Sequence, residues 1–331
     1  MSLLEVKELK QHFTIKKGFL GEKKIVKAVD GVSFKIEQGE TLGIVGESGC
    51  GKSSLGRTIL QLIKPTSGEI HFQGRDITHL SRKEMKDVRK EMQIVFQDPY
   101  ASLNPRSTVR TILEDPLIIH GIKSRHKRMD IIEGIIDKIG IRKDQLDRYP
   151  HEFSGGQRQR IGIARALTLS PKLIIADEPV SALDVSVQSQ VLNLMDALQK
   201  ELNLSYIFIS HDLSVVQHIS DRVAVMYLGK IVEIADVDEL YQNPLHPYTK
   251  ALLSAVPLPD PAQKKERIIL QGDLPSPVNP PSGCPFHTRC PQATPECKAE
   301  IPELREKSMD HWAACIHVQP GQKQSIRTSI S

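Results

Sequence analysis

An apolar strand that runs directly into a glycine-rich loop constrains this chain more than any other feature. Residues 41–45 form the short apolar run, and the loop after it reads Gly46, Glu47, Ser48, Gly49, Cys50, Gly51, Lys52 and Ser53. Such glycines let the backbone curl tightly and point successive amides at phosphate oxygens. A helix predicted to begin at Lys52 adds the positive end of its dipole. The segment therefore predicts a phosphate-binding loop in an α/β fold.

The side chains at the end of this loop have predicted roles toward a nucleotide. Lys52 is expected to reach the β- and γ-phosphates, and the Ser53 hydroxyl is expected to hold Mg²⁺. Ser54, the next residue, is also expected to contact the nucleotide. Cys50 lies within the loop, but we expect no special role for its thiol.

Polar residues that follow later apolar runs complete a predicted ATPase site. Asp177 and Glu178 come after the apolar run 173–176, so Asp177 is expected in the Mg²⁺ shell and Glu178 as the general base or water-orienting residue. Gln97 follows another strand-like run and can approach Mg²⁺ and the attacking water. His211 also follows a strand and could contact the γ-phosphate and sense its loss.

A second anion site is predicted at Ser154, Gly155, Gly156 and Gln157, where Ser154 is a natural helix N-cap. It lies on a mostly helical insert in the α/β pattern. If this insert projects away from the core, both anion sites cannot easily serve one phosphate within a single chain. The arrangement therefore favours an active site completed across a dimer.

The chain reads as an α/β core with a helical insert and a cysteine-containing C-terminal arm. Residues 255–283 contain seven prolines, which predicts a linker or an extended segment. The predicted parts are a core of 1–97 and 166–250 that includes an antiparallel β subdomain, a helical subdomain of 98–165, a linker of 251–283, a cysteine region of 284–318 and a mobile tail of 319–331.

Four of the five cysteines lie close together near the end of the chain, at Cys284, Cys290, Cys297 and Cys315. In a reducing cytosol such a cluster favours metal binding over disulfides. Four thiolates suit tetrahedral Zn²⁺ or an iron–sulfur cluster. Zinc ribbons favour tight pairs that are absent here, and wide, irregular spacing fits a bulkier iron–sulfur cube better. Zinc, free thiols and disulfides remain the alternatives.

Composition limits the partners of the protein. The formal net charge of +4 over 331 residues gives no indication of nucleic-acid binding. No run approaches the roughly 20 apolar residues of a membrane-spanning helix. The first residues lack the apolar core of a secretion signal. We therefore expect a cytosolic protein whose membrane role comes through a partner.

The motifs together resemble those of the ATP-binding cassette ATPases over about residues 1–250. The resemblance includes Phe153 before Ser154, where the family usually has leucine, and Ser181-Ala182-Leu183-Asp184. It implies a P-loop NTPase core of the RecA-like type with a mixed β-sheet, an inserted helical subdomain, and a head-to-tail dimer holding two ATP between Lys52 and Ser154. Phe13 matches the adenine-stacking aromatic position, and a core phenylalanine on an early strand is the alternative.

Three further stretches, at 97–105, 243–249 and 275–281, resemble the dipeptide/oligopeptide importers and extend the similarity to about residue 318. Within that group the chain resembles the second ATPase subunit of dipeptide permeases. This implies an ATP-hydrolysing motor subunit at the cytoplasmic face of the bacterial inner membrane. The implied partners are a sibling ATPase, two permease subunits and an extracytoplasmic solute-binding protein. The resemblance also points to a [4Fe–4S] cluster.

The predicted cargo is dipeptides, with oligopeptides, haem, aminolevulinate or nickel as alternatives. Rival functions for the same ATPase motifs fit the sequence poorly. DNA-repair and chromosome-organising relatives carry a long coiled coil between the phosphate loop and the dimer motif, and translation-factor relatives carry two cassettes in one chain. A non-hydrolysing nucleotide sensor is disfavoured by the presence of Glu178 and His211.

Overall fold

The computed structural model describes residues 2–16, 23–256 and 266–321. The chain divides into two compact units. Unit one comprises Met1–Leu3, Ile36–Thr41 and His79–Ile209, and unit two comprises Leu4–Lys35, Leu42–Thr78 and Ser210–Ser331. Residues 17–22, part of the predicted linker (257–265) and most of the predicted mobile tail (322–331) lie outside the described residues.

The described ranges contain twelve strands and eleven α-helices, which alternate along much of the chain. The strands are β1 (Leu4–Lys16), β2 (Lys23–Ile36), β3 (Thr41–Val45), β4 (Ser67–Phe72), β5 (Arg75–Asp76), β6 (Met92–Val95), β7 (Leu173–Asp177), β8 (Ser205–Ser210), β9 (Arg222–Tyr227), β10 (Lys230–Asp236), β11 (Arg305–Ser308) and β12 (His311–Ala313). The helices are α1 (Lys52–Ile59), α2 (Arg82–Glu91), α3 (Pro99–Ser102), α4 (Val109–Ile119), α5 (Arg125–Ile139), α6 (Gly155–Leu167), α7 (Val185–Leu202), α8 (Leu213–Ile219), α9 (Val237–Gln242), α10 (Pro247–Ser254) and α11 (Pro295–Ala299). Across the described residues, no helix combines the length and apolar character needed to cross a bilayer.

Unit one has a parallel arrangement of strands in the order β8-β7-β6. Every residue of β7 and β8 is buried, as expected for parallel strands covered on both faces. Asp177 at the end of β7 is in register with Ile209 of β8. The carboxyl ends of neighbouring strands therefore present the residues that follow them at one edge.

The helices of unit one begin and end where the sequence provides caps. Ser124 caps α5 by accepting from the Lys127 amide, and Gly140 ends it in the left-handed conformation at φ 70°. The buried face of α5 consists of isoleucines at helical spacing, namely Ile132, Ile135, Ile136 and Ile139. Their burial against neighbouring elements, rather than helix propensity alone, stabilises the segment.

Unit two contains the strand that leads into the phosphate loop. The strand order is β11-β12-β10-β9-β3, with β3 parallel to β9 and the remaining pairs antiparallel. All five residues of β3 are buried. A second sheet has the order β2-β1-β4-β5, in which β4 is antiparallel to both β1 and β5. The mixed sheet agrees with the predicted fold class.

The C-terminal arm, residues 266–321, also belongs to unit two. Its described residues 266–283 contain no helix or strand, consistent with the density of prolines there. The hairpin of β11 and β12 then adds to the sheet edge, where Ala313 is in register with Glu233 of β10. The arm is thereby joined to a strand of the sheet, a connection that the sequence did not indicate.

Candidate functional site

The phosphate loop has a backbone that only glycine can adopt at two positions. Gly46 and Gly51 have φ values of 154° and 109°. A Cβ atom on Gly46 would lie 2.2 Å from the Met226 carbonyl oxygen, and one on Gly51 would lie 1.9 Å from that of Ala28. Any side chain at either position would displace backbone, so the glycines that predicted this loop are required by its packing.

Lys52 is folded back onto the loop. Its side chain is buried, and Nζ donates to the carbonyl oxygens of Gly46 at 2.7 Å and Glu47 at 3.2 Å. Gly51 precedes α1 and provides no capping side chain. The loop therefore combines an ammonium group with a helix N-terminus, the two features that bind phosphate anions.

The remaining loop residues differ in exposure. Ser48 and Gly49 are exposed, while Ser53 and Ser54 are half-buried. Cys50 is buried, and this burial raises the pKa of its thiol. A protonated, buried thiol is consistent with the expectation that Cys50 has no chemical role.

In unit one the structure brings two of the predicted catalytic residues together. The Gln97 amide Nε2 donates to Glu178 Oε2 at 2.8 Å. Glu178 has a left-handed backbone (φ 47°), and its amide donates to the Ile209 carbonyl oxygen at 2.9 Å. Asp177 is buried at the end of β7. The left-handed backbone of Glu178 carries strain, and strain of this kind is frequent at functional sites.

Two further predicted site residues lie in unit two. His211 is exposed and directly follows β8. The next residue, Asp212, caps α8 by accepting from the Ser214 amide at 2.8 Å. Phe13 is half-buried on β1.

The second predicted anion site forms the N-terminus of α6 in unit one. Ser154 Oγ accepts from the Gln157 amide at 3.3 Å, and the Gln157 side chain accepts from the Ser154 amide at 3.0 Å. A Cβ on Gly156 would lie 2.3 Å from Val187 Cγ1 of α7, so the helix start packs closely there. Ser154 itself is exposed. The capping box thus orients an exposed helix start.

Arg158 supports this helix start and was missed by the sequence reasoning. Its buried guanidinium donates to the carbonyl oxygens of Pro150 at 2.8 Å and Phe153 at 2.5 Å. It also lies 3.6 Å from the centre of the Tyr100 ring, a cation–π contact. Arg158 thereby ties the turn before Ser154 to the segment after Gln97. Its place four residues after a predicted N-cap was the available signal.

The four C-terminal cysteines line one pocket in unit two, together with Phe286 and three histidines: Cys284, Cys290, Cys297, Cys315, His246, His287 and His317. The Cys284 amide donates to the Cys297 carbonyl oxygen at 2.8 Å. Cys297 Sγ lies 3.3 Å from His317 Nε2. Cysteines spread along the arm therefore line one pocket, and thiolates are ligands of both zinc and iron–sulfur clusters.

Burial raises the pKa of Cys284 to about 11 and also raises the pKa values of Cys290 and Cys315. These three thiols are therefore protonated at neutral pH, and metal binding would release their protons. Among the described residues, no group of three or more cysteine, histidine, aspartate or glutamate side chains is arranged to hold a metal ion. The predicted cluster gains no support from that arrangement and stays a prediction.

The arm also contacts the phosphate loop, which the sequence did not predict. Arg289 Nη1 and Nη2 donate to the two carboxylate oxygens of Glu47 at 2.7 and 3.1 Å. Hydrogen bonding to Glu47 raises the pKa of Arg289. The Glu47 amide donates to the Tyr248 hydroxyl at 2.9 Å. Tyr248 belongs to a stretch noted only for its resemblance to importers, and Arg289 stands one residue before Cys290.

Comparisons with known proteins show the family to which this chain belongs. Residues 29–181 match the family described as ABC transporter, and residues 232–297 match the oligopeptide/dipeptide transporter C-terminal region. The oligopeptide transport ATP-binding protein AppF of Bacillus subtilis is 60% identical over 95% of this chain and 97% of its own length. The corresponding OppF of Salmonella typhimurium is 56% identical over 96% of this chain and 97% of its own length.

This chain belongs to the ABC transporter ATPases of the oligopeptide/dipeptide importer type. Solved structures show the same fold. CbiO1 of Clostridium perfringens, part of an ABC transporter complex, has a TM-score of 0.62 and 30% identity over 72% of this chain and 90% of its own. The cassette MJ0796, as a dimer bound to ADP and Pi, has a TM-score of 0.62 and 28% identity over 71% of this chain and 98% of its own.

These comparisons confirm three of the sequence predictions. The family is confirmed because the relatives match nearly the whole chain. The P-loop NTPase fold class is confirmed because solved ABC cassettes match most of it. The prediction of an ATP-hydrolysing transporter subunit is confirmed at the level of the family. Peptide transport is the shared description of the relatives, without a distinction between dipeptides and longer peptides.

Proposed function

We propose that this protein is the ATP-hydrolysing motor subunit of a bacterial peptide importer. The observation that carries the proposal is the near full-length identity to oligopeptide transport ATP-binding proteins, which extends through the C-terminal region. The solved cassettes match 72% and 71% of this chain, whereas these relatives match 95% and 96% of it.

The phosphate loop supplies the nucleotide-binding groups in this proposal. Lys52, the loop amides and the start of α1 bind the phosphates of ATP, and Lys52 exchanges its contacts with Gly46 and Glu47 for phosphate oxygens. Phe13 stacks on the adenine. Ser53, Gln97 and Asp177 would hold Mg²⁺, which would neutralise negative charge on the phosphates.

Glu178 acts on the attacking water. It accepts the water proton as the oxygen attacks the γ-phosphorus, and the bond to the ADP oxygen breaks to release ADP and phosphate. The hydrogen bond from Gln97 holds the Glu178 carboxylate in a defined orientation. We assign His211 to contact with the γ-phosphate.

Two ATPase chains complete the sites together. Ser154, Gly155, Gly156 and Gln157 of one chain would cover the γ-phosphate bound to the other, and the exposure of the α6 start supports such a contact. The ADP-bound relative MJ0796 is a dimer, which supports the same assembly. We propose a sibling ATPase chain as the partner, with ATP binding closing the pair and phosphate release reopening it.

The parts of the chain have separate roles in the proposed transporter. The core (1–97 and 166–250) binds ATP, and the helical part (98–165) grips a cytoplasmic helix of the permease. The linker (251–283) carries the cysteine region (284–318). Two permease subunits and an extracytoplasmic binding protein complete the complex at the cytoplasmic face of the inner membrane. The cargo is dipeptides, with oligopeptides as the second candidate because the relatives bear that name.

Cargo is tested through the solute-binding protein that operates with this transporter. Its affinity is measured by calorimetry for dipeptides and for peptides of four to six residues. Preferential binding of dipeptides supports the proposed cargo. Selective binding of the longer peptides identifies an oligopeptide importer instead.

We also propose a [4Fe–4S] cluster held by Cys284, Cys290, Cys297 and Cys315. The proposal rests on the presence of four cysteines that line one pocket, since four thiolates are the ligand set of such a cluster. Such a cluster would supply a rigid cross-link for an arm with little core of its own. Anaerobic purification should give a brown protein with broad visible absorption. An iron-free, colourless preparation contradicts the cluster, and zinc analysis then separates a zinc site from free thiols.

The catalytic proposal is tested with Glu178→Gln and Lys52→Ala. Glu178→Gln should lower ATP turnover by roughly 10²–10⁴-fold, because the amide cannot accept the proton, while ATP-dependent association persists. Lys52→Ala should weaken ATP binding itself. Phosphate release and light scattering measure the two effects. Normal turnover by the Glu178→Gln variant would refute the assigned role.

A further inference from the structure

The segment between the first two arm cysteines reaches the phosphate loop. Arg289 donates two parallel hydrogen bonds to the Glu47 carboxylate, with Nη1–Oε2 at 2.7 Å and Nη2–Oε1 at 3.1 Å. The Arg289 side chain is 9% exposed and that of Glu47 is 28% exposed. A shielded two-point contact of this kind sets orientation as well as distance. The arm therefore holds the Glu47 side chain in one direction.

A second contact holds the backbone of the same loop residue. The Glu47 amide donates to the Tyr248 hydroxyl at 2.9 Å. The Tyr248 ring is fully buried, with ring centres 4.7 Å from Tyr227 and 5.3 Å from Phe286 of the arm. Both the amide and the carboxylate of Glu47 are thus held by groups that depend on the arm.

The orientation of Glu47 bears on the lysine of the loop. Lys52 Nζ donates to the Glu47 carbonyl oxygen at 3.2 Å and to that of Gly46 at 2.7 Å. A rotation of the backbone at Glu47 would move an acceptor of Lys52. The arm therefore contacts a residue that itself contacts the phosphate-binding lysine.

Charge gives the contact a second consequence. Glu47 places a carboxylate within a loop that, under the proposed function, binds a polyanion. An unpaired carboxylate there would repel the triphosphate, since like charges brought together at a binding site oppose association. Arg289 supplies the compensating positive charge from outside the loop.

The cysteines shape the turn that presents Arg289. The Cys284 amide donates to the Cys297 carbonyl oxygen at 2.8 Å, and the Arg289 amide donates to the Phe286 carbonyl oxygen at 3.0 Å. Phe286 lies in the pocket that the four cysteines line. A change that moved the cysteines apart would therefore also move Phe286 and, through it, Arg289.

We propose that Arg289 is a positioning residue for nucleotide binding, through which the cysteine arm orients the phosphate loop and neutralises Glu47. The proposal rests on the proposed function of that loop as the ATP site. It makes the ATP affinity of the protein depend on an intact arm.

The first test compares Arg289→Gln with the wild-type chain at full length. A fluorescent ATP analogue is titrated to give Kd, and steady-state hydrolysis gives KM and kcat. We expect Kd and KM to rise at least about tenfold, with kcat at saturating ATP within about threefold of wild type. Arg305→Gln is the matched control, because Arg305 pairs with Glu303 on the exposed surface of the same arm. It should leave Kd and KM unchanged.

The second test removes both charges. In Glu47→Gln/Arg289→Gln the uncompensated carboxylate is gone, so the part of the loss that comes from charge should be recovered, and Kd should be at least about threefold lower than that of Arg289→Gln. Thermal unfolding of each variant shows whether the fold is retained.

The outcomes separate this proposal from the function on which it rests. Equal ATP affinity of the wild type and Arg289→Gln overturns the positioning role. A double variant as weak as Arg289→Gln overturns the neutralisation of Glu47 by Arg289, because removal of the carboxylate then restores no affinity. A wild-type chain that neither binds nor hydrolyses ATP contradicts the proposed function itself.

Discussion

Two glycines on one helix of this ATPase differ in how closely neighbouring side chains pack against them. Gly156 and Gly162 both lie on α6. A Cβ on Gly156 would meet Val187 Cγ1 at 2.3 Å, whereas one on Gly162 would meet nothing within 4 Å. The same substitution therefore has opposite expected effects at two turns of one helix.

Gly156→Ala should destabilise the fold by about 1–3 kcal/mol, because the added methyl overlaps α7. Gly162→Ala should stabilise it by up to about 1 kcal/mol, because alanine loses less backbone entropy in a helix. Urea unfolding followed by circular dichroism measures both. Equal stabilities of the two variants would contradict the packing described for the start of α6.

His246 is a residue whose protonation opposes folding. Burial lowers the pKa of His246 to about 4, and its Nδ1 accepts from the Tyr248 amide at 3.1 Å. The nearby charges are Glu233, which opposes this shift, and Lys250, which adds to it. In the unfolded chain this histidine is protonated below its ordinary pKa of about 6.5. In the folded chain it is protonated only below a pH of about 4.

The unfolding free energy should therefore fall by about 3 kcal/mol between pH 6.5 and pH 4 from this group. His246→Asn keeps a side-chain acceptor for the cap of α10 but cannot titrate. Its stability should depend less steeply on pH over that window. Parallel pH dependences of wild type and variant would exclude His246 as the cause.

At the scale of elements, one carboxylate joins the arm to the sheet. Glu233 on β10 is fully buried and accepts from the amides of Leu245 and His246 at 2.7 and 2.9 Å. It is also 2.8 Å from Nε2 of the buried His311, the first residue of β12. Three segments distant in sequence therefore meet at a single acceptor group.

Glu233→Gln should destabilise the protein by about 3–5 kcal/mol, because an amide NH₂ would face donors where a carboxylate accepted. Glu303→Gln is the control: Glu303 is exposed and pairs only with surface Arg305 among its described ion pairs, so its loss should cost less than about 1 kcal/mol. Urea unfolding compares the two. Limited trypsin digestion should cut the arm faster in Glu233→Gln than in the control.

At the scale of the whole molecule, the proposed dimer divides each ATP site between two chains. Ser154 can be changed to Asp, which still caps α6 but places a negative charge where the γ-phosphate would bind. Ser154→Asn caps the helix without the charge and is the matched control. Lys52→Ala disables the other half of the site.

The test uses pairs formed by two copies of this chain in the absence of the sibling ATPase, and in such pairs each of Lys52→Ala and Ser154→Asp should be inactive alone. Mixed chains should regain about a quarter of wild-type turnover, since half of the pairs then contain one intact composite site of two. Phosphate release measures the recovery. A site complete within one chain predicts no recovery on mixing, and that result, with a wild-type chain that hydrolyses ATP without the sibling, would contradict the shared site.

The sequence alone determined the chemistry that depends on local pattern. Residues 41–53 predicted a strand, a glycine loop and a helix because each glycine and the apolar run act within a few positions. Ser154 and Gln157 predicted a capped helix for the same reason, and the structure confirms the capping box. The ordered motifs also sufficed to identify the family.

Only the tertiary structure decided which distant residues meet. The ion pair of Arg289 with Glu47, the burial of Glu233 against His311 and the Arg158–Tyr100 contact join residues far apart in sequence or on different elements. No periodicity or spacing encodes such pairs, because a long-range contact depends on how whole elements pack. The sequence thus specified the parts of the ATPase, and folding of the arm onto the phosphate loop specified how they are connected.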